Sequence, residues 1–358
     1  MSHQILLLFR SLKSSGGAED QVVLHFEALA NAGFDVLIMV DDPAVAWVVE
    51  RFPATNLVKF SYRTLFKHRK RALISYLVHD HVSAAVASIF GCKWIPYEQT
   101  HPNYYADIAR RSWRAWLKHK IQQRFYMLFA DKLIVQTTSA QSAWAEILDG
   151  HVQQNKIRVL PNIFMPSAAL KDYITQPSRT KRIVMVGRLI DIKDYELSLK
   201  VFFAMREVNA PEFTVDIYGV GPLASNLAVA VKKLDLADIV VFRQFERDKK
   251  SIYLDKDVFF MSSKAEGMPN ALGEAMSFGL VCASLDFEAG PRDLLGPNSN
   301  DILPQLITGR DPRAVAEKLS EILKSNAGQL SDVGLKNHGR IEASFSRRDF
   351  ASKVTAML

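Results

Sequence analysis

Short, unbroken apolar runs recur along this chain, each followed by a turn rich in Gly, Pro or Asn and then a segment of helical period. No other feature of the sequence restricts the fold as much. A run with no polar alternation suits a strand covered on both faces, and strands that alternate with helices make a parallel sheet. The runs at 4–9, 34–40, 56–60, 73–78, 93–98, 132–135 and 156–160 are expected strands, with helices at 18–32, 82–90, 108–129 and 140–148. A polar, Pro-bearing stretch at 166–178 interrupts the pattern, as a linker would. The pattern then restarts, with strands at 183–186, 214–218, 239–242, 258–261 and 281–285 and late helices at 312–325 and 345–358. A chain of 358 residues exceeds one typical core. The expectation is therefore an α/β protein with an amino-terminal domain at 1–165, a carboxyl-terminal domain at 166–343 and a terminal helix at 344–358.

Charge narrows the partners. The formal net charge is +7, which points to an anionic substrate or surface. Arg63, Lys67, Arg69, Lys70 and Arg71 form one run without an acid, and Arg110, Arg111, Arg114, Lys118, Lys120 and Arg124 form another. The second run lies on the 108–129 helix, where Trp113, Leu117, Ile121, Phe125 and Leu128 make an apolar stripe beside it. Two readings stay open, contact with an anionic membrane surface or a core helix with a solvated basic face. No nucleic-acid-binding module accompanies the charge, so nucleic acid is not expected. The sequence has no apolar run of membrane-spanning length and no secretory leader, so a cytoplasmic protein is expected, at most peripheral on the inner membrane. Cys92 and Cys282 are the only cysteines, and they lack metal spacing.

Several strand-to-helix turns carry residues suited to a ligand. At 262–279 the chain reads Ser-Ser-Lys-Ala-Glu-Gly-Met-Pro-Asn-Ala-Leu-Gly-Glu-Ala-Met-Ser-Phe-Gly. Asn270 is the expected N-cap of a helix, which puts Glu266 in the loop and Glu274 one turn inside. Gly16 and Gly17 follow the first strand. Glu98-Gln99-Thr100-His101-Pro102 ends the fifth, Gly187-Arg188-Leu189 with Lys193 follows the strand at 183–186, and Gly219-Val220-Gly221-Pro222 follows the next. In open α/β sheets these carboxyl ends of strands are where ligands sit. Asp255-Lys256-Asp257 enters a strand at the opposite end and is read as structural rather than as a metal motif.

Taken together, Glu-Gly-Met-Pro-Asn, Glu-Ala-Met and Gly279 resemble the signature of the retaining glycosyltransferases of family 4 (glycosyl transferases group 1), including enzymes of bacterial surface-polysaccharide assembly. The resemblance implies a GT-B fold, with two facing Rossmann-like domains and a last helix crossing back to the first. It implies transfer of a hexose or N-acetylhexosamine from a nucleotide diphosphate sugar, UDP being the expected nucleotide, to a glycan or lipid-linked acceptor, with no metal and no cofactor. Glu266, Arg188, Lys193 and His101 match its catalytic positions. Gly16, Gly17, Gly219, Gly221, Gly267, Met268, Pro269, Asn270, Ala271 and Glu274 match its donor-binding ones. This chain departs from the pattern at Ile163, where the family commonly has Gly, at Gly273, where it has a bulky aliphatic, and at Leu280, where it often has Pro. A nucleotide-sugar epimerase or phosphorylase of the same fold, or an inactive nucleotide-sugar-binding subunit, stays open as the alternative.

Overall fold

The structure is a computed structural model that describes residues 4–12, 16–103, 112–148, 156–174, 180–244, 246–287 and 289–358. The chain divides into two compact units, Met1–Ile163 with Arg347–Leu358, and Phe164–Ser346.

The first unit is built on a parallel sheet of seven strands in the order β3-β2-β1-β4-β5-β6-β7. These are β1 (Gln4–Leu8), β2 (Asp35–Val40), β3 (Leu57–Lys59), β4 (Ala72–Ser75), β5 (Lys93–Glu98), β6 (Leu133–Val135) and β7 (Ile157–Val159). Side chains alternate across the sheet, so Ile5 and Leu7 enter one apolar layer while Leu6 and Leu8 enter the other. That two-sided burial is why β1 is unbroken in its apolar character. The Gly17–Asn31 and Arg347–Met357 helices cover the first layer, packing Val22, Phe26, Phe350 and Val354 there. An Arg347–Glu27 ion pair also joins these helices. The helices Tyr62–Lys67, Val78–Ser88, Trp113–Phe129 and Thr138–Ile147 cover the other layer through Leu65, Ala84, Tyr126 and Trp144.

The second unit holds a six-stranded parallel sheet, β10-β9-β8-β11-β12-β13. Its strands are β8 (Lys181–Val186), β9 (Phe213–Tyr218), β10 (Val240–Arg243), β11 (Val258–Met261), β12 (Val281–Leu285) and β13 (Leu306–Ile307). Along β11, Val258 and Phe260 face one core while Phe259 and Met261 face the other. Each such fully buried side chain stabilises the fold by about 1.5–3 kcal/mol relative to exposure. In both sheets the strand order reverses beside the first strand, between β1 and β4 and between β8 and β11. Reversal leaves a crevice at the carboxyl ends of those strands.

Four expectations need correction. The start of the 166–178 stretch is no solvated linker, because Ser167 N donates to Ser277 O at 3.0 Å and Lys171 N to Phe278 O at 2.9 Å. Phe164 and Tyr173 are buried there as anchors, and 175–178 lie outside the described residues. The 108–129 helix is described only over Trp113–Phe129, so Arg110 and Arg111 also fall outside. Within it the stripe of Trp113, Leu117, Ile121 and Leu128 is exposed, whereas Gln123 and Tyr126 are buried. The strand expected at 73–78 ends at Ser75, and His79 and His81 lie in the Val78–Ser88 helix. Ala327–Ser344 is a long helix that apolar periodicity did not reveal. Among the described residues no helix is long and apolar enough to cross a membrane.

Candidate functional site

The second unit's switch point brings two predicted residues together. Lys193 ends a one-turn 3-10 helix, Asp191–Lys193, in the loop after β8, and Glu266 lies in the loop after β11. Their ammonium and carboxylate form a half-buried ion pair. Ser263 Oγ donates to the same oxygen, Glu266 Oε1, at 2.8 Å. The two loops are tied by backbone as well. Ser262 Oγ lies 2.9 Å from Lys193 O and 3.0 Å from Asp194 O, and Lys264 N donates to Ile192 O at 2.8 Å. Asp194 adopts a left-handed conformation, φ 48°, which turns the chain sharply into the Tyr195–Glu207 helix that it caps.

Arg310, far along the chain, completes this arrangement. Its guanidinium donates to Asp194 Oδ2 at 2.7 Å, Ser262 O at 2.7 Å and Ser263 O at 3.0 Å. It thus holds both loops at once, and no sequence motif marked it. Arg188, by contrast, is exposed and its side chain makes no hydrogen bond or ion pair among the described residues. It is a cation near the switch point that no described residue neutralises.

Glu274 sits in the Asn270–Ser277 helix and is half-buried. Tyr253 OH donates to its Oε2 at 3.1 Å, and Lys249 Nζ lies 2.9 Å from the same oxygen. Burial and then the Glu274 charge push the Tyr253 phenol well up, so it stays a donor. The helix begins differently from the expectation. Pro269 is the N-cap and Asn270 the first helical residue, so the helix has no side-chain cap. Met268 and Pro269 are buried, Gly267, Asn270 and Ala271 half-buried. Met268 packs in the core with Phe259 and Met261, an anchor for the loop rather than a ligand-facing side chain.

The glycines have structural reasons that the sequence did not supply. A Cβ on Gly219 would strike Gly187 O, and one on Gly221 would strike the Leu189 backbone. These two are small so that the loop after β9 can lie against the loop after β8, which carries Arg188. A Cβ on Gly273 would collide with the Phe164 ring, so Phe164 fills the place of the bulky aliphatic.

In the first unit, Gly16 is extended, φ −169°, and N-caps the helix that Gly17 opens. The Glu19 carboxylate folds back to where a Cβ on Gly16 would lie, a position the flexible side chain can vacate. His101 is buried, its Nδ1 accepting from Asn103 N at 3.3 Å and its Nε2 lying 3.4 Å from Ser139 Oγ. With Nδ1 an acceptor, the neutral ring carries its proton on Nε2, so Nε2 donates to Ser139 instead of accepting a proton.

Sequence reasoning missed the group just before it. Glu98 is buried at the end of β5, where Tyr126 OH and Gln122 Nε2 (2.7 Å) donate to its Oε1. Burial pushes its carboxyl from 4.5 up to about 7. The folded state thus holds a proton that the unfolded chain has released, and stability falls as pH rises through this window and levels off above it. Glu98→Gln keeps the acceptor and removes the titration. Against that variant, the wild type is expected to lose about 3 kcal/mol of unfolding free energy between pH 4 and 8, measured by urea denaturation. Parallel curves for the two proteins would refute the assignment.

Residues 169–337 match the model of the family described as glycosyl transferases group 1. An uncharacterized glycosyltransferase of Haemophilus influenzae is 24% identical over 314 residues, covering 82% of this chain and 83% of that protein. The putative colanic acid biosynthesis glycosyltransferase WcaL of Escherichia coli is 24% identical over 52% of this chain, and the chain spans only 46% of its length. Among solved structures, Anabaena HepE in complex with UDP and glucose superposes with a TM-score of 0.76 at 16% identity, over 99% of both chains.

Proposed function

We propose that the protein, whose residues 169–337 match the model of the glycosyl transferases group 1 family, is a retaining, metal-independent glycosyltransferase of family 4. It moves a hexose or N-acetylhexosamine from a UDP-sugar to a growing surface glycan or its lipid-linked precursor. The observation behind this reading is the Lys193–Glu266 pair braced at the β8–β11 switch point. Relatives and fold-mates give it context, since WcaL is named for colanic acid and HepE holds UDP and glucose.

Transfer requires the simultaneous stabilisation of a cationic, oxocarbenium-like carbon and an anionic leaving diphosphate. Lys193 and Arg188 supply the positive charge for the diphosphate. The uncapped amino end of the Asn270–Ser277 helix adds N–H donors of the kind that bind anions. Glu266, held by Lys193 and Ser263, grips hydroxyls of the transferred sugar. Glu274, held by Tyr253 and Lys249, takes the ribose hydroxyls. The acceptor proton goes to the leaving phosphate oxygen, and His101 of the first unit is assigned to acceptor binding rather than to deprotonation. Positioning then supplies much of the rate.

Thermal unfolding with a panel of nucleotide sugars tests this. A cognate UDP-sugar at about a hundred times its Kd stabilises the fold by about 2.7 kcal/mol, and Glu274→Ala removes most of that shift. Failure of every nucleotide sugar to stabilise the native chain would overturn the donor assignment. Isomerisation or phosphorolysis of the stabilising sugar, without transfer, would favour an epimerase or phosphorylase. Stabilisation with no turnover would favour a binding subunit.

A further inference from the structure

The Trp113–Phe129 helix turns much of its apolar surface away from its sheet. Its exposed positions are Trp113, Arg114, Trp116, Leu117, Lys120, Ile121, Arg124 and Leu128, with Trp113 70% and Leu128 71% accessible. Its inward side mixes polar groups with Phe125, Met127 and Phe129, which pack against the core layer. Gln123 and Tyr126 are buried, and Gln122 and Tyr126 bind Glu98. A helix in water normally turns its apolar stripe to the core; here that stripe faces out, among cations.

Neighbouring helices extend the surface. Leu65 of Tyr62–Lys67, Ala84 of Val78–Ser88 and Tyr126 all enter the same core layer, so the opposite sides of the three helices face outward together. Tyr62–Lys67 packs beside Val78–Ser88, which in turn packs beside Trp113–Phe129. The outer sides carry exposed Tyr62 and Phe66, and Ile89 and Phe90 follow Val78–Ser88. Phe66 and Phe90 meet edge to face at 5.9 Å, and Arg69 stacks on Phe66 at 4.4 Å. Arg63, Lys67 and Lys70 are exposed beside them, while Arg71 is occupied by Asp35 at 2.7 Å. No acidic residue lies within Tyr62–Lys67 or Trp113–Phe129, and the one in Val78–Ser88, Asp80, is fully buried.

We infer that this three-helix face docks on the surface of an anionic lipid bilayer, tryptophans and phenylalanines entering the headgroup region while the lysines and arginines meet lipid phosphates. Charge complementarity selects this occupant. A second copy of the chain would bring the same unbroken positive charge to the same face, and like charges repel. Indole rings beside cations are the composition that sits at a bilayer interface.

The tryptophans make a direct test possible. Of the five, Trp47, Trp94 and Trp144 are buried, leaving Trp113 and Trp116 to report contact. The full chain is floated with vesicles of phosphatidylcholine, or of phosphatidylcholine mixed with phosphatidylglycerol, some carrying brominated acyl chains. Expected are binding to the mixed vesicles alone, loss of binding as salt rises, and quenching of indole fluorescence by the brominated lipid. Lys67→Gln and Lys120→Gln each lower partitioning about fivefold, the factor for about 1 kcal/mol per surface cation. Trp113→Ser with Leu117→Ser abolishes flotation at the low salt where the wild type floats, with the unfolding midpoint unchanged. The inference is overturned by absence of flotation, by equal binding to uncharged vesicles, by binding without quenching, or by a dimer in solution that the double Ser variant dissociates. Vesicle binding is read without any sugar transfer, so its failure leaves the donor assignment standing, and the reverse also holds.

Discussion

Lys193→Met is expected to lower kcat for sugar transfer by about 10²–10³-fold, the loss seen when one preorganised electrostatic partner is taken from a developing negative charge. The fold should barely register it. The Lys193–Glu266 pair is partly open to water, where an ion pair contributes about 0–1 kcal/mol to stability. Glu266→Gln tests the other partner. It keeps the shape of the side chain but weakens the grip on the sugar, so kcat falls while the loops stay braced by Ser262 and Arg310. Glu274→Ala acts differently, because ribose contacts are made equally in the ground and transition states, and it is expected to raise donor KM with kcat nearly preserved. Steady-state kinetics with the stabilising UDP-sugar separate these patterns. If Lys193→Met left kcat within a few-fold while lowering the unfolding midpoint, the pair would be a structural strut and the catalytic assignment would be wrong.

Sequence and structure agree where the determining physics is local. The parallel strands were legible because a strand buried on both faces has no polar positions, as in Ile5–Leu8 or Val258–Met261. Periodicity failed in an instructive way at Trp113–Phe129. A repeat of 3.6 residues shows that a stripe exists, but not on which side the water lies, and the inward Gln122 and Tyr126 answer to Glu98 and, for Tyr126, to the Trp94 and Trp144 rings on other elements. Ala327–Ser344 escaped because its buried face includes Gly334 and Asn337, which do not read as apolar. The capping box of Asn326 and Gln329 was the signal available. Within the site, the strand-end positions of Glu266, Lys193 and Arg188 could be read from chain order alone. The Arg310 brace and the Phe164 ring beside Gly273 could not, since each depends on residues remote in sequence meeting in the fold.

Asp257→Ala is expected to destabilise the second unit by about 3–5 kcal/mol, the cost of leaving one buried charge without its partner. Asp257 Oδ1 lies 3.1 Å from Lys171 Nζ with both side chains buried, and its Oδ2 accepts from Arg182 N at 2.8 Å. Removing the carboxylate strands an ammonium and a backbone N–H together. The same geometry explains the tripeptide that begins at Asp255. Lys256, buried, binds Asp216 at 2.8 Å and Asp255 at 2.7 Å, so both aspartates are committed to cations of the chain. Lys171 belongs to the stretch first read as a linker, and through this pair that stretch becomes part of the unit's core edge. The variant Asp257→Asn with Lys171→Met should recover much of the loss, because no charge is then left unpaired. Urea denaturation of the three proteins gives the comparison. A loss below about 1 kcal/mol in Asp257→Ala would place the pair among ordinary surface contacts, and an equal loss in the double variant, whose Asn keeps an acceptor for Arg182 N, would rule out the unpaired charge as the cause.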